Sequence, residues 1–251
     1  MLTYEQINEE LQQRAFNNAY TPTPEQKVLQ IDGKVIGTLG NIVCFSGLPK
    51  AGKSTFLNGC IASAFVPHSV FQMAMFLPEN RKRICYIDTE SSEYDFYRST
   101  DRIKKLINFS YLPVEFMAYR FRDLSPKEII FYVDHIISIR PDISVLFIDG
   151  LLDLLMNYND EVESRMLINW LKKITSQANI LLVGVVHTGK KDGLTLGHFG
   201  SMIDRYCQSV LTVEKDGKTG MFELKAKYLR SDLPFDPILI QNENGVFRQV
   251  N

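Results

Sequence analysis

One stretch bounds what this chain can fold into more tightly than any other: Gly47-Leu48-Pro49-Lys50-Ala51-Gly52-Lys53-Ser54, followed by Thr55. It comes directly after the apolar run Ile42 to Phe45 and opens a segment with Phe56, Leu57, Cys60, Ile61 and Ala64 at helical spacing. The pattern is G-x-x-x-x-G-K-S in a strand, turn, helix setting. Glycines let the backbone bend until successive N–H groups point at one spot, and the helix N-terminus adds a partial positive charge there. Such a spot suits a polyphosphate. Lys53 is expected to reach the β and γ phosphates, Ser54 to offer its hydroxyl to Mg2+, and Thr55 to add a phosphate contact. Residues Gly47 to Thr55 are therefore read as a Mg-ATP site.

Beyond Asn41, short apolar runs alternate with helical patterns, the rhythm of a mostly parallel sheet with helices on both faces. Strands are expected at Ile42 to Phe45, Ile84 to Ile87, Val114 to Tyr119, Ser144 to Ile148 and Ile180 to Val186. Two further core-facing helical stripes are Ile129, Ile130, Val133, Ile136 and Ile137, then Met166, Leu167, Trp170, Leu171 and Ile174. Ahead of this core, Val28 to Ile31 and Lys34 to Ile36 flank Asp32-Gly33, a pair that favours a tight hairpin. After it, Ser209 to Val213, Met221 to Lys227, Ile238 to Ile240 and Val246 to Val250 predict an antiparallel β extension. Tyr4 to Phe16 reads as a short polar helix joined through Thr21-Pro22-Thr23-Pro24, a stiff linker. The expected division is an arm and linker over residues 1–24 and an ATPase domain over 25–251.

Phosphoryl transfer assisted by Mg2+ needs a carboxylate near the metal and a group that activates water. Ser144-Val145-Leu146-Phe147-Ile148-Asp149 is an apolar strand ending in an acid, and Asp149 is placed on a Mg-bound water. Ile84-Cys85-Tyr86-Ile87-Asp88-Thr89-Glu90 is a second such strand, and strand alternation puts Asp88 and Glu90 on one side. Ligands in open α/β sheets sit at the carboxyl ends of strands, so Glu90 is the chosen general base. The strand Ile180 to Val186 ends in His187-Thr188-Gly189-Lys190, where an imidazole could donate to the γ phosphate and report its loss. His68, His135 and His198 are read as structural or solvated.

In order and spacing, the phosphate loop, I-D-T-E, F-I-D-G and V-V-H-T-G-K resemble the RecA-like ATPases, including the DnaB-type and plasmid RepA-type replicative helicases, over about residues 35 to 240. The resemblance implies a RecA-like α/β fold and gives the glutamate at Glu90 the task of activating water. It matches the RepA-like branch in using histidine at His187, where RecA proteins usually have glutamine. Gly197 to Ser201 with Asp204-Arg205 is similar to the family's segment after the sensor strand, and Lys225 to Arg230 to its lysine and arginine finger region. In ring-forming relatives such cations reach the neighbour's ATP, which makes Arg205, Lys227 and Arg230 candidates to act in trans. Two residues separate Lys227 from Arg230, a departure from the K-x-R pattern that leaves the finger open. The implied partners are further copies of the chain, as a ring of six with ATP at the interfaces, and single-stranded DNA.

Composition bears on which task the ATPase drives. A formal net charge of -1 gives no global basic field, so DNA contact must rest on local patches such as Gly189-Lys190-Lys191-Asp192-Gly193. The loop Asn157 to Glu163 is acidic and a poor DNA contact. Three readings stay open: a DNA-associated motor or loader, a regulatory switch ATPase acting on a protein partner, and a small-molecule kinase with Phe76 to Arg83 as its arginine lid. The four cysteines lack C-x-x-C spacing, which speaks against zinc and a disulfide framework. The acidic start and the absence of about 18 uninterrupted apolar residues lead us to expect a cytoplasmic protein without a membrane span.

Overall fold

A computed structural model describes residues 3–189, 197–243 and 245–250. Helix α1, Tyr4–Arg14, is opened by Thr3 and Gln6, which satisfy each other's backbone N–H groups in a capping box. None of its residues is buried, so nothing in the chain's own core holds this arm. Strands β1, Lys27–Ile31, and β2, Lys34–Thr38, form the expected hairpin, with Asp32 and Gly33 both at positive φ in the turn. A third strand, β4 at Met73–Met75, pairs with β1 and completes a small antiparallel sheet.

The main sheet holds nine strands. Six run parallel: β3 (Ile42–Gly47), β5 (Arg83–Asp88), β6 (Phe116–Arg120), β7 (Ile143–Asp149), β8 (Leu181–His187) and β9 (Ser209–Lys215). The strands β10 (Phe222–Leu229), β11 (Ile238–Glu243) and β12 (Val246–Val250) extend it antiparallel from β9. The order across the sheet is β12-β11-β10-β9-β3-β8-β7-β5-β6.

Alternation along the parallel strands sorts the core into two layers. Val43, Phe45, Ile84, Tyr86, Val145 and Phe147 face one layer with Phe56, Leu57, Cys60 and Ile61 of helix α2 (Lys53–Ser63) and Ile103 of helix α3 (Glu93–Ile107). Cys44, Cys85, Ile87, Leu146 and Ile148 face the other, against helices α4 (Pro126–Ile139), α5 (Glu161–Ala178) and α6 (Gly197–Tyr206). Met166, expected in the α5 stripe, is instead 68% exposed, while Trp170 is half-buried and donates its indole N–H to Asp134. Among the described residues no helix is long and apolar enough to cross a membrane.

The register fixes where chemistry can happen. In the parallel strands Gly47 pairs with His187 and Asp88 with Asp149, so the carboxyl ends of β3, β8, β7 and β5 converge on one edge. Arg81 and Arg83 lie at the other edge. The Arg81 guanidinium donates to the carbonyls of Pro141, Ile143, Ala178 and Asn179, and Arg83 pairs with Asp142 at 2.8 Å. The Phe76 to Arg83 stretch is thus no lid over the phosphate loop, which removes the feature that favoured a kinase.

Candidate active site

The segment from Gly47 to Thr55 bends as its glycines allow. Gly52, the residue before α2, sits at φ +95, and a Cβ there would lie 2.4 Å from a ring carbon of Phe222 on β10. A Cβ on Gly47 would lie 2.3 Å from the carbonyl oxygen of Val213 on β9. The loop is therefore pressed against the antiparallel extension. Leu48, Pro49 and Lys50 form its exposed outer side, while Ala51 is buried.

Lys53 is only 5% exposed, and its Nζ donates to the carbonyls of Gly47 at 2.9 Å and Leu48 at 2.8 Å. Burial lowers its pKa, against the pull of Glu90 and Asp149, which raises it. The same Nζ is 3.0 Å from His187 Nδ1. An ammonium can only donate, so Nδ1 accepts and the ring proton of the neutral imidazole lies on Nε2. His187 Nε2 in turn is 2.9 Å from Glu90 Oε1 and donates to it. Lys53, His187 and Glu90 make one hydrogen-bonded chain. The Glu90 carboxyl is 45% exposed, and its pKa is lowered chiefly by the His187 hydrogen bond, with burial opposing and the Lys53 charge assisting.

Glu90 is aimed by the turn before it. The Thr89 N–H donates to the Asp149 carbonyl at 2.8 Å, Gly150 N–H donates to Thr89 Oγ1 at 3.0 Å, and Thr89 Oγ1 donates to Asp153 Oδ2 at 2.7 Å. These bonds pin the ends of β5 and β7 together. Strand geometry stops at Asp88, so the alternation expected to put Asp88 beside Glu90 does not reach that far. Asp88 Oδ1 instead accepts from the backbone N–H groups of Glu90 and Ser91, at 3.0 and 2.8 Å. Asp88 shapes the turn.

On the other side of Lys53, Ser54 and Asp149 line one small cavity. Asp149 is 7% exposed, and burial first, then the charges of Asp88 and Glu90, raise its pKa to about 7 against Ser54 and Lys53. One hydroxyl and one buried carboxylate fit a hard cation that keeps water and phosphate oxygens as its remaining ligands. No cluster of three or more His, Cys, Asp or Glu with metal-site geometry occurs among the described residues. Mg2+ shared with a bound nucleotide fits this sparse donor set better than a self-contained metal centre.

The three trans candidates lie apart from this edge. Lys227 is paired with Asp204 at 2.8 Å, its side chain 19% exposed. Arg205 and Arg230 are exposed, and Arg230 donates to the Arg205 carbonyl at 3.1 Å. Leu229 pairs with Ser209, and Ser209 with Val43 at the start of β3, which puts Arg230 at the end of the sheet away from the phosphate loop. Of the proposed DNA-contacting loop, 190–193 lies outside the described residues. Thr89 and Gly150, which carry no role in the sequence motifs, acquire one because β5 and β7 lie side by side with Asp88 opposite Asp149.

A phosphate-loop α/β domain with the RecA-like fold is the class these features define. No family model and no curated protein matches the chain in sequence. Among solved structures it is similar to the RadB recombinase, with a TM-score of 0.55 and 13% identity, covering 85% of this chain and 92% of that one. At that identity the likeness speaks for the fold.

Proposed function

We propose that the protein is a Mg2+-dependent ATPase of the RecA type, with Glu90 as general base. The observation that carries this reading is the chain from Lys53 through His187 to Glu90, which joins the loop lysine to a carboxylate through the imidazole. Glu90, kept ionised by its hydrogen bond, accepts the proton of the attacking water. Lys53 exchanges the carbonyls of Gly47 and Leu48 for phosphate oxygens, and Ser54 and Asp149 would hold Mg2+, which when bound would neutralise charge on the phosphates. When Lys53 turns to the phosphates, His187 Nδ1 loses its donor, so Glu90 receives the news of nucleotide binding through the imidazole.

For the task driven by hydrolysis, the reading we favour is a DNA-associated motor or loader, acting as a homo-oligomeric ring of six with ATP at the subunit interfaces. The RecA-like fold and the order of motifs support it, and so do exposed Arg205 and Arg230, set away from the chain's own phosphate loop where a neighbouring subunit could meet them. Lys227 would have to leave Asp204 to take that part. A regulatory switch ATPase is the second reading, favoured by the formal net charge of -1.

ATP hydrolysis measured with and without single-stranded DNA, across a salt series, tests the choice. A motor is stimulated by DNA, and the stimulation fades as salt rises. Hydrolysis indifferent to DNA would turn the assignment toward the switch. Failure of the purified, folded protein to bind ATP or ADP with Mg2+ in calorimetry would sink the ATPase reading itself.

A further inference from the structure

Beside Ser54 and Asp149, on the side away from His187, lies a cavity of about 190 Å³. Helix α3 lines it with one face: Asp95, Arg98, Ser99 and Arg102 recur at the spacing that stacks side chains along a helix. Ser99 also hydrogen-bonds Asn58 of α2 at 3.0 Å, so this face is held against the helix that begins at the phosphate loop. The charges here are not matched. Asp88 is occupied by two backbone N–H groups and by the Tyr86 hydroxyl at 3.2 Å. Asp95 accepts from the Ser92 hydroxyl at 2.8 Å and stands 4.0 Å from Arg98.

Arg102 is half-buried and has no carboxylate within ion-pair distance among the described residues. Its guanidinium lies 5.2 Å over the ring of Phe247 on β12, an arrangement that holds the fork still without neutralising it. Burial and the like charge of Arg98 both lower its pKa, with Tyr86 opposing. A half-buried, unneutralised guanidinium fixed on an aromatic face is arranged for an anion from solution.

We propose that this cavity is a second anion site, which takes inorganic phosphate between Arg98 and Arg102 with the Ser91 hydroxyl as a further donor. Its volume, about 190 Å³, admits a phosphate with its nearest waters and falls below the roughly 300 Å³ at which pockets for larger ligands begin, which excludes a base and ribose. Phosphate is the fragment that ATP hydrolysis releases beside Ser54 and Asp149, so the proposal rests on the ATPase reading and gives the product a place to pause on leaving. It also hands a role to the antiparallel extension: Phe247 supports Arg102, and Phe247 touches Phe222, at 5.5 Å between ring centres, which in turn packs on Gly52 of the loop.

Equilibrium dialysis of radiolabelled inorganic phosphate against the full chain saturated with Mg-ADP tests it. The wild type is expected to retain phosphate, and Arg102→Gln and Arg98→Gln each to weaken that binding by about tenfold or more while ADP affinity holds. Arg102→Lys should recover part of the affinity, because it keeps the charge and loses the fork. Arg98 is exposed, so its variant stays informative even if Arg102→Gln fails to fold. A wild type that binds Mg-ADP but no phosphate overturns the proposal and leaves the ATPase reading standing, as does phosphate binding that neither substitution alters. Absence of ADP binding would remove both.

Discussion

Gly150 stands where any side chain would collide with Glu90: a Cβ on it would lie 2.7 Å from Glu90 Oε1. The carboxylate donated to by His187 is thus seated directly over the residue that follows Asp149. In Gly150→Ala the Glu90 side chain has to move. It is long and 45% exposed, so it can do so at little cost to the fold. We expect the melting temperature to change little and kcat to fall by about tenfold to a hundredfold, with ATP affinity retained, since small displacements of a positioned group weigh heavily on rate. Unchanged kcat would mean that the seat over Gly150 plays no part in turnover.

Glu90→Gln keeps the shape and removes the base. Hydrolysis should slow by roughly two to four decades while ATP stays bound. Normal turnover in this variant would pass the task to another acid.

Removing the imidazole tests the chain from the opposite end. The His187 hydrogen bond is the largest influence lowering the Glu90 pKa, so in His187→Ala that pKa rises. The acid limb of kcat, measured at saturating Mg2+, should move to higher pH. The linked stability has the same sign: ionised Glu90 favours the folded state above its ordinary carboxyl range, and this is lost as pH falls through the lowered value. An acid limb that stays in place in His187→Ala would show that Glu90 is not the titrating base.

Gly52→Ala meets two obstacles, a backbone at φ +95 and the ring of Phe222. The phosphate loop cannot keep its bend, and nucleotide binding should be lost by calorimetry. Phe222→Ala clears the ring alone. A double variant that regains no affinity would assign the loss to the backbone and not to packing.

Much of this arrangement was legible in the sequence. Buried parallel strands write themselves as unbroken apolar runs, and four of these runs, ending in the loop glycine, two acids or a histidine, located the edge where Lys53, Glu90, Asp149 and His187 gather. What stayed hidden has physical reasons. Strand β4 is three residues long, too short to show alternation. Helix α3 buries only Ser99, Ile103 and Ile107, so its stripe is drowned by Tyr94, Asp95, Arg98 and Lys105 on the outer faces. Strand β6 starts at Phe116 rather than Val114, after Pro113, which supplies no N–H to a ladder. The side-chain chain Lys53, His187, Glu90 joins the start of α2 to the ends of β8 and β5, and no local pattern encodes a contact between residues 97 apart.

Asp149 carries the sharpest conflict between stability and function. Its pKa is raised from 3.8 to about 7, so ionising it disfavours the folded state: the cost is absent below its unfolded pKa, grows as pH rises, and is complete above about 7. The full shift corresponds to about 4 kcal/mol. Asp149→Asn removes this cost and should raise the melting temperature of the nucleotide-free protein at pH 8 far more than at pH 4, while Mg2+-dependent hydrolysis is lost. Binding Mg-ATP requires the ionised carboxylate, so the wild type should release a proton on binding near pH 6, seen as a dependence of calorimetric heat on the ionisation enthalpy of the buffer, and Asp149→Asn should show none. Equal stabilisation at both pH values would assign the effect of the substitution to packing, and equal proton release in both proteins would move the metal-linked titration to another residue.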